Sequence, residues 1–300
     1  SKKLRKTLSK EFSLETLLLK TTQTSSKTGT KKFLYLTHDQ KAIETVLIPG
    51  SERNTLCISS QVGCPLDCKF CATGLMGFKR NLSVGEIVDQ YFFTAKNVGK
   101  NVITNIVFMG MGEPLLNFDN TMSALDIFTN QHNNRIGRTR ITVSTSGIPE
   151  KITALADSPH RVKLALSLHS AFDDIRSTIM PVNKRFPLSD VLDAIRYYSR
   201  VTATRITFEY TMLKGINDRE EDIKALSKLC NSLPSKINII PFNSIAHMSP
   251  DGISKELVPT SLDNIKKFAQ RLRDNNVTVM LRDTQGDDIA AACGQLATQN

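Results

Sequence analysis

From Thr55 onward the chain alternates two kinds of segment, and this alternation limits its fold more than any other feature. Short, β-rich apolar runs lie at Thr55–Ser59, Asn105–Met109, Arg140–Ser144, Val162–Ser167, Arg205–Tyr210, Lys236–Ile240 and Val277–Leu281. Helical patterns fall between them, at Ser83–Val98, Asp119–Asn130, Ile148–Asp157, Leu188–Arg200, Glu220–Leu233 and Ser261–Asp274. Ser83-Val84-Gly85-Glu86 is a capping box that opens the first of these helices. Strands that alternate with helices form βα units, and parallel strands need such crossovers. The expected fold class is therefore α/β, with six or seven units either closing or leaving a partial barrel of (β/α)6 type. Its binding loops should gather at the carboxyl ends of the strands.

Residues 51–300 are read as this core domain, and 1–50 as a short accessory segment. Within the segment, Lys2–Leu19 reads as a basic amphipathic helix and Thr21–Lys32 as a loop. Phe33–Leu36 and Ala42–Ile48 read as a hairpin that Pro49-Gly50 ends.

Five polar or glycine-rich clusters follow predicted strands on the same face. They are Cys64–Cys71, Gly110–Pro114, Ser144–Gly147, Ser167-Leu168-His169 and Asn243. A lone histidine such as His169 is more often structural, and a lone glycine pair would mean little; a simple strand-to-helix turn is the plain alternative for Gly110–Pro114. Their common placement favours a barrel-mouth site. Gly110 and Gly112 would let backbone approach a ligand. Glu113 can accept from an ammonium group, and Ser144, Ser167, His169 and Asn243 can bind carboxylate or ribose oxygens.

Cys64, Cys68 and Cys71 stand in C-x3-C-x2-C spacing. Structural zinc usually takes four N or S ligands, and no second knuckle exists here. Six cysteines in 300 residues, with no apolar signal segment, argue against a disulfide framework and for a reducing, cytosolic compartment. Three thiolates instead suit three corners of an iron–sulfur cubane whose fourth iron is open. Cys57, Cys230 and Cys293 lack metal-ligand spacing, and buried inert thiols are the default for them. No apolar run approaches the ~18 residues of a membrane span. The net charge of +10 suits a polyanionic partner, although a solvated basic surface gives the same number. The basic residues include Lys2, Lys3, Arg5, Lys6 and Lys10, then Lys79 and Arg80, then Arg135, Arg138 and Arg140.

The aromatic Phe70 before the third cysteine completes a signature that resembles the radical S-adenosylmethionine (SAM) superfamily. Longer stretches are similar to its ribosomal RNA adenine C2-methyltransferases, the RlmN family: Thr55–Cys64, Gly77–Leu82, Gly110–Leu115, Ser144–Gly147, Ser167–His169, Met212–Asp218, Lys236–Asn243 and Gly286–Leu296. The resemblance implies a partial (β/α)6-type radical SAM barrel with a short helical and hairpin extension. It implies a [4Fe-4S] cluster on Cys64, Cys68 and Cys71. SAM would touch Gly112, Glu113, Ser144, Ser167, Leu168, His169 and Asn243.

In the implied reaction one SAM methylates Cys293, and a radical from a second SAM activates that methyl for addition to adenine C2. Glu44 would remove the ring proton, and Cys57 would release the product by forming a disulfide with Cys293. The implied substrates are adenosine 2503 of 23S rRNA and adenosine 37 of tRNAs. A cytoplasmic monomer is expected, reduced by a donor such as flavodoxin or ferredoxin. Pro114 and Ser146 look like the C2 enzymes; the alternatives are the C8-methylating sister enzymes (Cfr) and a non-catalytic iron–sulfur RNA-binding module. The family usually carries a longer N-terminal helical domain, so a short or truncated N-terminal segment is expected here.

Overall fold

The computed structural model describes residues 2–11, 15–99, 101–130 and 136–298. Of the basic residues above, Arg135 and the side chain of Lys10 lie outside the described residues. The chain opens with α1 (Lys2–Glu11), followed by the strands β1 (Leu17–Thr24), β2 (Lys31–Thr37) and β3 (Ala42–Ile48). Next come β4 (Thr55–Cys57), β5 (Gln61–Gly63), α2 (Ala72–Leu75), β6 (Phe78–Asn81) and α3 (Val84–Val98). The crossovers continue through β7 (Asn105–Phe108), α4 (Phe118–Thr129), β8 (Ile141–Thr145), α5 (Pro149–Asp157) and β9 (Lys163–Ser167). The last part holds α6 (Asp173–Ile179), α7 (Leu188–Thr202), β10 (Ile206–Met212), α8 (Glu220–Asn231), β11 (Ser235–Pro241), α9 (Gly252–Glu256), α10 (Leu262–Asp274) and β12 (Val279–Leu281).

One ten-stranded sheet runs β1-β2-β3-β4-β7-β8-β9-β10-β11-β12. From β4 to β12 every neighbouring pair is parallel, as the alternation predicts. The two ends do not pair, so the barrel is partial. At its other edge β3 pairs antiparallel with β4, and the accessory segment 1–50 thus extends the same sheet. That segment departs from expectation in two places. The expected helix does not reach Leu19, because Leu17–Leu19 already belongs to β1, and much of the expected loop is also β1, which pairs with β2 and turns the hairpin into a three-stranded meander. Lys20 to Thr24 is polar because β1 is a mostly exposed edge strand, while its threonines still favour extended backbone.

The core strands have two different faces. Ile106, Phe108, Ile141, Val143, Leu164 and Phe208 are buried and point outward to the helices. Phe108 meets Phe128 of α4 edge-on at 6.4 Å, and Tyr210 stacks on Phe268 of α10 at 6.1 Å. Each such side chain contributes roughly 1.5–3 kcal/mol by leaving water. Alternate residues on the same strands point inward, and many are polar. The predicted capping box is present: Ser83 Oγ accepts from Glu86 N at 3.3 Å, and Glu86 Oε2 accepts from Ser83 N at 2.9 Å. No helix among the described residues is long and apolar enough to cross a membrane.

Candidate active site

The cysteine loop is held by short-range backbone bonds. Cys64 N–H donates to Gly77 O at 3.1 Å, across the β5–β6 ribbon. Asp67 turns the chain with a φ of 51°, and Cys71 N–H donates to Cys68 O at 3.1 Å as α2 begins. The three half-buried thiols line one cavity. Burial pushes all three above the ordinary thiol range, Cys64 to about 12. Cys71 adds to the rise at Cys64, and Cys71 and Cys64 both add to it at Cys68, so negative charge accumulates on this loop when the thiols ionise. A bound cationic cluster relieves that cost. Among the described residues no three His, Cys, Asp or Glu side chains converge tightly enough for a single metal ion. A cubane spreads its ligands over several irons, and three cysteines that line one cavity suit it.

The expected cofactor residues divide into those on the wall and those behind it. Gly112, Glu113, Ser144, Ser167, His169 and Asn243 line the cavity with the cysteines; Leu168 does not. Glu113 is buried, with Oε1 accepting from Leu115 N–H at 3.1 Å and Oε2 from Ser146 N–H at 2.8 Å. Burial raises its pKa, and these hydrogen bonds oppose the rise. It has no ion-pair partner among the described residues, so an ammonium group of a ligand suits this buried carboxylate.

His169 Nδ1 accepts from Thr211 N–H at 2.9 Å, and its ring lies 4.4 Å from Phe70. Burial lowers His169 to about 3, leaving it neutral near pH 7. The hydroxyls of Ser144 and Ser167 make no hydrogen bond to other described residues and face the cavity.

Two glycines work differently from the sequence expectation. A Cβ on Gly110 would sit 2.7 Å from Ile58 O, and one on Gly112 2.4 Å from Gln61 Cβ. Their missing side chains chiefly admit the β4–β5 segment. Gly112 also has a φ of 94°, which favours glycine.

Sequence reasoning missed Arg176 on α6, which is fully buried. Its guanidinium donates to Leu168 O at 3.1 Å, Ser167 O at 3.1 Å, Ser146 O at 2.5 Å and Asn183 Oδ1 at 2.5 Å. It thereby ties together two of the loops that carry cofactor residues. An arginine in a short, charged helix carries no signal of this. Glu209, also missed, points inward from β10 and accepts from Asn238 Nδ2 at 2.9 Å. A glutamate in the middle of Ile206–Met212 breaks an apolar run at an inward position, which was a readable sign.

Cys293 lies on a segment, 286–297, that crosses the barrel mouth. Ala72 N–H donates to Gly294 O at 2.7 Å, and Thr73 Oγ1 to Leu296 O at 2.6 Å, so the cysteine loop itself holds this strap. Asn243 Nδ2 donates to Cys293 O at 3.1 Å. Cys293 lines both the cluster cavity and a second chamber below it, where Cys57 also lies. Burial raises Cys57 to about 12, and the nearby Cys293 adds to the rise. Cys293 opens onto the two cavities, yet surrounding protein raises it to about 11.

Glu44 is not brought into either cavity. It lines a third cleft behind the strap, paired with Lys32 Nζ at 3.0 Å. Burial raises Glu44 despite that pairing. Cys230 is buried in α8, away from all these cavities, in keeping with a structural thiol.

Comparison with known proteins identifies this arrangement. Residues 58–226 match the model of the Radical SAM superfamily. The dual-specificity RNA methyltransferase RlmN of Alcanivorax borkumensis is 42% identical over 288 residues, covering 93% of this chain and 74% of that protein. A probable enzyme of the same kind from Thermotoga neapolitana is 43% identical, over 99% of this chain and 84% of its own. A radical SAM methyltransferase from Sphaerobacter thermophilus superposes with a TM-score of 0.92 at 40% identity, covering 98% of this chain and 85% of that one. The chain belongs to the radical SAM superfamily and, within it, to the RlmN family of RNA methyltransferases.

Proposed function

We propose that this protein methylates C2 of an adenine in 23S rRNA and in tRNA, with Cys293 as the methyl carrier and Cys57 as its resolving partner. The observation that carries this reading is the shared position of the two cysteines. They are remote in sequence yet line one chamber, and Cys293 also faces the cofactor cavity. The dual-specificity names of the relatives support the choice of substrates.

Adenine C2 is an electron-poor ring carbon and cannot accept a methyl group as an ordinary nucleophile. When bound, the [4Fe-4S] cluster and SAM supply the one-electron and hydrogen-abstracting chemistry that such a carbon requires. Cys64, Cys68 and Cys71 hold the cluster. Glu113 binds the SAM ammonium; Ser144, Ser167, His169 and Asn243 position its remaining polar groups, and the backbone around Leu168 supports them. The Cys293 thiolate takes a methyl group as a nucleophile. Glu44, its pKa raised by burial, accepts the C2 proton once the strap shifts to expose it. Cys57 then attacks the Cys293 sulfur and forms a disulfide, which breaks the carbon–sulfur bond to the base; the released carbon takes a proton and becomes its methyl group.

Pro114 and Ser146 favour C2 over C8. The protein is read as a cytoplasmic monomer that receives electrons from a flavodoxin or ferredoxin; its six free cysteines suit a reducing compartment. The experiment is anaerobic reconstitution followed by incubation with SAM, reductant and an rRNA fragment containing the target loop. Wild type should form 2-methyladenosine, and Cys293→Ala should not. Normal turnover by Cys293→Ala would end the carrier mechanism, and 8-methyladenosine would move the chain to the C8 class.

A further inference from the structure

The chamber beneath the strap has a volume of about 430 Å³, enough for a small organic ligand. Its floor is made by the lowest inward residues of six neighbouring strands: Thr55, Asn105, Thr142, Lys163, Thr207 and Lys236. Barrel interiors are usually packed with branched apolar side chains. This floor is polar and cationic instead, and Arg53 and Arg282 add two more positive charges to the lining. Two carboxylates face them, Glu209 and Asp283. Among the described residues none of the four cations lies within 4.0 Å of a carboxylate. Burial and then Arg53 lower the pKa of Lys163; burial and then Lys163 lower that of Lys236, against an opposing pull from Glu209, while Arg53, Lys163 and Arg282 keep part of their surface in solvent. The cations thus crowd one another in a space that an anion would relieve. At the top of the chamber sit Cys57 and Cys293.

We propose that this chamber admits a small anionic thiol, which reduces the Cys57–Cys293 disulfide left by each turnover; this rests on the carrier role of Cys293 proposed above. Thr55 on the floor and Cys57 above it are two residues apart on β4, a rise of roughly 7 Å. A thiol with a carboxylate or sulfonate a few bonds from its sulfur spans that distance. Cys57 is only 8% exposed, so a small reductant suits it better than a protein one. One thiolate attacks a sulfur of the Cys57–Cys293 bond, giving a mixed disulfide and expelling the other cysteine as a thiolate. A second thiolate attacks the external sulfur of the mixed disulfide and expels the remaining cysteine. The two external thiols lose two electrons and become a disulfide, and their protons end on Cys57 and Cys293.

The test uses disulfide made by anaerobic turnover on RNA. The oxidised protein is given 2-mercaptoethanesulfonate, 2-mercaptoethanol or cysteamine at matched thiolate concentration. Aliquots are quenched by alkylation, and the Cys57–Cys293 peptide pair is followed by mass spectrometry. The anionic thiol should react roughly tenfold or more faster than the cationic one at low salt. The double variant Lys163→Gln/Lys236→Gln should bring that ratio within about twofold while leaving the neutral-thiol rate unchanged, which also reports an intact fold. A wild-type protein without charge preference, or a preference that survives the double variant, overturns the proposal and leaves the carrier reading standing. Turnover that yields methylated RNA without any Cys57–Cys293 bond overturns both.

Discussion

The wall of the cofactor cavity and the strap that crosses it are built on different principles. On the wall, Glu113, His169 and Arg176 are buried and bonded to backbone at strand ends and the loops that follow them. The strap has three residues with positive φ in its course, Gly286 at 73°, Ala290 at 49° and Gly294 at 83°. It is docked from outside, by bonds from Ala72, Thr73, Asn243 and Lys32 to its carbonyls, by Gln295 against Ser244 and His247, and by the buried side chains of Ala291 and Leu296. A wall fixed by mutual bonds orients a cofactor, whereas the strap depends on contacts supplied by several other segments, so loosening one of them tests whether it moves independently. That division suits the carrier role proposed for Cys293.

The comparison can be broken at four points. The largest effect is expected from Cys293→Ala, which should reduce methyl transfer to background while iron content and SAM binding stay at wild-type levels. Loss of SAM binding in that variant would mean that the strap belongs to the wall after all.

Arg176→Met should cost about 3–5 kcal/mol in urea unfolding, because it strands three buried carbonyls and an amide oxygen. SAM affinity should fall with it.

A pH series gives the next effect. His169 is lowered in the fold from 6.5 to about 3, so its stabilising contribution is complete above 6.5 and is lost as pH falls toward 3. Between pH 7 and 5 the apoprotein should lose about 2 kcal/mol from this group, and His169→Asn should remove that part of the slope. An unchanged slope in the variant would show that the ring is not held neutral.

The smallest effect is expected from Thr73→Val, at about 1 kcal/mol. Hydrogen exchange in 286–298 should quicken while exchange around Ser144 and Ser167 is unaltered. Equal quickening in both places would show a single rigid unit.

Much of this was legible in the sequence because the strands alternate so regularly. Outward Ile106, Val143, Leu164 and Phe208 meet helices, and the polar and glycine-rich clusters that follow the strands located the cavity end; the inward polar residues within the strands were not read. Glu209 followed the same rule and could have been read from it. β1 could not, since an edge strand exposed over most of its length lacks alternation. Arg176 was hidden because its value lies in four acceptors supplied by segments distant along the chain. Gly110 and Gly112 were placed correctly at the cavity, but local sequence does not reveal that Ile58 and Gln61 fill the space beside them. That Cys57 and Cys293 share a chamber was expected from family resemblance, since it depends on a strap that docks through Ala72 and Thr73. Glu44 was expected beside the chemistry and instead lies behind that strap.

The central claim is that carbon passes through Cys293 on its way to RNA. The most direct measurement is a single turnover with SAM labelled in its methyl group, without RNA at first, followed by peptide mapping. The account predicts label on the Cys293 peptide, then its disappearance from that peptide and recovery on adenine C2 when RNA and reductant are added. Label that reaches the adenine without ever residing on Cys293 would contradict it.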